Sequence, residues 1–188
     1  MTMRLRHAAL AAALALAGPL AGATVLGFDD LGADGAVPLN YGGLDWSAAG
    51  WSVFAGEQAP YTAHSGSFRA AAGWGVDDAA TEVRFATPTV FDGAWFAGLG
   101  GATVRFDLYL GGQWVASSAT LDPDATPRFL ASGWSGAVDA VRVSSPFHAS
   151  YVMDDFSFQG APVPEPQTVL LLAAGLAVLQ LALRRRAG

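Results

Sequence analysis

Two acidic pairs, Asp29-Asp30 and Asp154-Asp155, stand near opposite ends of a cysteine-free chain of 188 residues. Carboxylates are hard oxygen ligands, and Ca²⁺ takes about six to eight such oxygens, backbone carbonyls among them. Where the first and last strands of a domain run side by side, the four carboxylates could converge, and a structural calcium is the expected occupant. Strand alternation limits this: in "YVMDDFSF" Asp154 shares a face with Val152, Phe156 and Phe158, and Asp155 with Met153 and Ser157, so only one of the pair points at any ion. The competing reading makes all four aspartates turn and edge residues that accept bonds from backbone N–H groups.

Six tryptophans (46, 51, 74, 95, 114 and 134) raise a second chemistry, because flat aromatic faces pack on pyranose rings. Most must serve a core. Trp74 lies in the glycine-rich "AAGWGVDD" and Trp114 closely follows Gly111-Gly112, so these two are the candidate ligand-binding residues.

Catalytic signatures are sparse. His64 and His148 sit in "AHSGS" and "PFHAS", without the spacing of zinc ligands, and no G-x-S-x-G elbow occurs. A Ser-His-Asp set stays open, as does a pair of aspartates acting on a glycoside, but nothing marks two as partners. The absence of cysteine excludes thiol catalysis, thiolate metal sites and lipid attachment through a thiol. No phosphate-cradling glycine loop, nucleotide fingerprint or basic stripe is present. A non-enzymatic protein is expected, the alternative being a secreted glycan-acting hydrolase.

The elements that must position these residues read as strands. "TVRFDLYL" sets Val104, Phe106, Leu108 and Leu110 on one face and Thr103, Arg105, Asp107 and Tyr109 on the other. Gly111-Gly112 then turns the chain into "QWVASSATL", a hairpin signature. Further strands are expected at "TVLGF", "WSVFAG", "SFRAAAG", "TEVRFA", "GAWFAG", "RFLASG", "AVDAVRV" and "YVMDDFSF". With no sustained helical period between them, the pattern predicts an all-β, antiparallel β-sandwich of the jelly-roll kind over residues 24–160.

Both ends read as targeting segments. Arg4, Arg6 and His7 precede an apolar stretch from Ala8 to Ala17 and a break at Gly18-Pro19, the order of a secretory signal peptide over residues 1–23 with cleavage after Ala23. The domain that remains carries five arginines against 15 carboxylates, a charge of −10 that disfavours nucleic acid and anionic headgroups. Residues 161–167 form a proline-rich linker. A predicted transmembrane helix and basic tail occupy 168–186, of which residues 168–183 give roughly 24 Å of helix against a hydrocarbon core of about 30 Å. Arg184, Arg185 and Arg186 would hold its end at the cytoplasmic headgroups, leaving the domain outside.

Pro164-Glu165-Pro166, an apolar helix and a terminal arginine cluster together resemble the PEP-CTERM sorting signal. The resemblance implies an exosortase-type processing enzyme as partner, transient anchoring in the inner membrane of a Gram-negative bacterium, and delivery to the cell surface or an exopolysaccharide matrix. "GFDDLG", "YGGLDWS" and "YVMDDFSF" are similar to secreted, galactose-binding-like jelly-roll domains. That second resemblance implies carbohydrate binding and a calcium held where the last strand meets the first.

Overall fold

The structure, a computed structural model, describes residues 22–48, 50–73 and 81–159. The chain divides into two units, and Ala23–Ala161 holds every element described below. Two antiparallel sheets make up the fold. In chain order the strands are β1 (Ala23–Leu26), β2 (Gly35–Ala36), β3 (Leu44–Asp45), β4 (Trp51–Phe54), β5 (Arg69–Ala72) and β6 (Glu82–Thr89). They continue with β7 (Phe91–Gly98), β8 (Arg105–Leu110), β9 (Gln113–Ser117), β10 (Arg128–Ala131), β11 (Val138–Ser144) and β12 (Tyr151–Gln159). Sheet A runs β10-β7-β12-β5-β4-β2 with β1 also paired to β12, and sheet B runs β3-β6-β11-β8-β9.

Every strand expected from alternation is present. The β8–β9 hairpin closes on Gly111 (φ 59) and Gly112 (φ 73), both left-handed as a two-residue turn of matching twist requires. Val104, Phe106 and Leu108 are fully buried, whereas Leu110, at the turn, is exposed. Beyond the expected set lie β2 and β3, two residues each, too short to show a period. They cap the edges of sheets A and B.

The core is aromatic. Phe91 meets Phe106 edge-on and tilts against Phe156, each at 4.7 Å between ring centres, so β7 and β12 of sheet A interlock with β8 of sheet B. Trp46 closes one end, with Phe28, Trp51 and Phe156 set edge-on around it.

Strand β12 organises sheet A. One side pairs with β7 throughout; on the other, Met153 opposes Ala70 of β5, and then Phe156 to Gln159 oppose Leu26 to Ala23 of β1. The change of neighbour falls at Asp154-Asp155, where the register against β7 shifts and Asp155 takes a left-handed φ of 47. This bulge corrects the parity expectation. Tyr151, Met153, Phe156 and Phe158 all enter one core cluster, so Met153 and Phe156 share a face although three residues apart. Strict alternation fails there because an extra residue flips the faces, and both aspartates are thereby aimed at the same loop.

The expected signal helix and carboxyl-terminal transmembrane helix lie outside the described residues. Among the described residues no helix is long and apolar enough to cross a membrane.

Candidate functional site

Where β1 ends at Leu26 and β5 begins at Arg69, β12 has no strand neighbour on the side away from β7, and the segment 64–68 crosses the opening. Its backbone N–H groups need acceptors. Carboxylates supply them. Asp154 Oδ2 accepts from the N–H groups of His64 (2.8 Å) and Ser65 (2.9 Å), while Asp154 Oδ1 accepts from the N–H of Asp155 at 2.7 Å. Asp29 Oδ1 accepts from the N–H groups of Ser67 (2.7 Å) and Phe68 (3.1 Å). Asp155 takes the side chains: His64 Nδ1 at 2.6 Å and the Ser65 hydroxyl at 2.8 Å. Three of the four aspartates singled out from sequence thus clamp one loop.

Asp30 faces away and accepts from the Tyr41 hydroxyl at 2.6 Å, and burial together with that carboxylate drives the Tyr41 phenol far above its usual range. The four carboxylates therefore do not make a calcium cage as they stand, because the donors converging on three of them are N–H and O–H groups that a cation would have to displace. Among the described residues no three His, Asp or Glu side chains are grouped so as to hold a metal. A melting temperature unchanged by EGTA or by millimolar Ca²⁺ is the expected result, and a rise with Ca²⁺ would show the clamp yielding to an ion.

The same geometry bears on nucleophilic catalysis. A hydrolase triad places histidine between carboxylate and hydroxyl. Here the Asp155 carboxylate stands in the middle, bonded to His64 and Ser65 separately. His148 is buried, with Nδ1 at 2.8 Å from the Tyr151 hydroxyl.

Two residues bordering the clamp adopt left-handed backbone that side chains rarely tolerate, Phe28 (φ 63) and Asp155 (φ 47). Tyr41 holds the first by accepting the Phe28 N–H at 3.2 Å through its hydroxyl. Gly27 and Gly66 leave space for the carboxylates, since a Cβ on Gly27 would lie 3.0 Å from Asp155 Oδ1.

Asp154 is 2 % exposed, and burial, with Asp155 alongside, pushes its carboxyl up to about 6. A folded-state pKa above the unfolded one favours the protonated form in the native protein. The contribution of Asp154 is therefore complete below about pH 4 and is lost as pH rises through about 6. Relative to Asp154→Asn, which does not titrate, the wild type should gain roughly 1 kcal/mol between pH 7 and pH 5. Urea midpoints of both proteins at the two pH values measure it.

The outer face of sheet A adds residues that sequence reasoning passed over. Trp95 opposes both Asp154 and Phe129, and Phe54 opposes Arg69. The His64 ring lies parallel on Trp95 at 3.4 Å, and Trp95 tilts against Phe129 at 5.7 Å. Arg69, 2 % exposed, lies over the Phe54 ring at 4.1 Å. No local motif announces this group, which exists only through pairing across five strands.

Trp114 stands where the hairpin places it, 62 % exposed on edge strand β9, opposite Tyr109 and donating its indole N–H to Ser117. Beside it, on sheet B, Glu82, Arg84, Tyr109, Asp139 and Arg142 line a groove of about 440 Å³. Glu82 pairs with both arginines, and the Arg142 guanidinium lies 5.4 Å from the Tyr109 ring centre. Trp46 and Trp51 are core. Trp74 and the sorting residues Pro164, Glu165, Pro166, Arg184, Arg185 and Arg186 lie outside the described residues.

Residues 162–186 match the PEP-CTERM protein-sorting motif. The chain carries the address of an exported protein that an exosortase sorts to the cell envelope. No curated protein and no solved structure matches the chain. The sorting motif thus fixes the route, and the sandwich must be read on its own geometry.

Proposed function

We propose that this is a non-enzymatic surface or extracellular-matrix protein: a galactose-binding-like jelly roll exported behind its signal peptide, held in the inner membrane of a Gram-negative bacterium by its tail helix, and released to the matrix after processing. The PEP-CTERM match at residues 162–186 carries this reading. The separate bonding of His64 and Ser65 to Asp155 supports a non-catalytic role, because among the described residues that hydroxyl gives its proton to a carboxylate and not to a histidine. The exposed Trp114 and the Tyr109 groove support weak contact with exopolysaccharide, an open aromatic face being the kind of surface on which a sugar ring stacks.

Intact mass of the protein recovered from the envelope and medium of an exosortase-bearing host tests the route. The expected mature chain lacks both the residues before Thr24 and the terminal "LALRRRAG". A recovered protein that retains the arginine cluster overturns the processing reading.

A further inference from the structure

The outer face of sheet A carries a run of rings that neither the sorting motif nor the hydrophobic core explains. His64, stacked flat on Trp95, keeps 34 % of its side chain exposed, and Phe129, on edge strand β10, is 43 % exposed. Phe129 belongs outside the core by pairing, since its neighbour Leu130 points inward and is buried. Its ring lies over Gly93, where a Cβ would meet the ring at 2.7 Å, so the glycine lets the ring lie down along the sheet. Asp155 fixes the imidazole through Nδ1, and Asp154 holds the backbone of His64, so the platform is preorganised by the clamp.

Charge selects the occupant. The exported domain carries −10, and the Asp155 carboxylate borders the rings through its contact with His64. The one arginine on β10, Arg128, is directed elsewhere and donates to the Asp122 carbonyl. A polymer of uronic acids is repelled by such a field, whereas a ring bearing an ammonium is attracted both by the field and by the faces of the aromatic rings.

Resting on the polysaccharide reading above, we propose that the His64–Trp95–Phe129 platform binds a cationic amino-sugar polymer, with a pyranose ring stacked on the exposed aromatic faces and its ammonium toward the Asp155 side of the platform. The site is distinct from Trp114, which stands on sheet B.

Full-length protein in detergent, run in native gels containing a de-N-acetylated glucosamine polymer, a neutral glucan or alginate, tests this. Retardation is expected with the glucosamine polymer alone, falling as salt is raised. Phe129→Ala, at an exposed position, should weaken it about tenfold with an unchanged melting temperature, and Phe147→Ala, at another exposed aromatic position, should leave it intact. Retardation lost in Trp114→Ala but kept in Phe129→Ala overturns the site and leaves the polysaccharide reading standing. Retardation by alginate or the neutral glucan in preference overturns the ligand class. A wild type that elutes as a dimer, with Phe129→Ala monomeric, overturns the proposal in favour of self-association through β10.

Discussion

Trp46→Ala is expected to cost about 4 kcal/mol of folding stability, read as a shift in urea midpoint with an unchanged slope. The indole is 1 % exposed and touches rings from three directions: Phe28 at 6.0 Å, Trp51 at 6.3 Å and Phe156 at 5.9 Å. Those partners come from the loop after β1, from β4 and from β12, so no single element can move to fill the void. Its N–H also donates to the Tyr41 carbonyl at 2.8 Å, which truncation leaves without that partner. Tyr41 in turn supports the left-handed Phe28, so the loss reaches the clamp loop. A domain of this size holds about 5–15 kcal/mol in total, and the variant should therefore melt well below the wild type. Trp114→Ala supplies the contrast: an exposed indole that donates to Ser117 is expected to change stability by less than about 0.5 kcal/mol.

The difference between these two tryptophans shows what a sequence can and cannot disclose. Trp114 was legible because a Gly-Gly turn fixes the register of the hairpin, and register fixes which face each side chain takes. Val104, Phe106 and Leu108 yielded their burial for the same reason, whereas Leu110, beside the turn, did not. Asp154 and Asp155 were legible as a site but not in their geometry. A bulge shifts alternation by one, and nothing local marks it; Asp155 is a non-glycine residue in a conformation that sequence reasoning assigns to glycine. Trp95 escaped notice because its neighbours His64, Asp154 and Phe129 lie on different segments, brought together by the order of sheet A. Short-range pattern reports the period of a strand. It does not report which strands become neighbours, and sites built across strands stay hidden until topology is known.

That hidden construction can be tested at Gly66. Its φ of 53 already favours glycine, and a Cβ there would land inside the Asp29 carboxylate. In Gly66→Ala the carboxylate must leave, which releases the N–H groups of Ser67 and Phe68 just before β5 begins. Left-handed alanine costs about 1 kcal/mol, and two charge-assisted hydrogen bonds are worth about 1.5–3 kcal/mol each, partly recovered from water at this exposed rim. A total near 3 kcal/mol is the expected loss for Gly66→Ala, and about 2 kcal/mol for Asp29→Ala, which forfeits the bonds without the backbone strain. The double variant decides whether one mechanism underlies both. If alanine at position 66 acts by expelling Asp29, the paired substitution costs about 3 kcal/mol, not the sum, because the second change removes nothing that the first has left in place. Additive losses in a double-mutant cycle would instead show that alanine at position 66 acts through backbone strain alone and leaves the Asp29 carboxylate bonded to the start of β5.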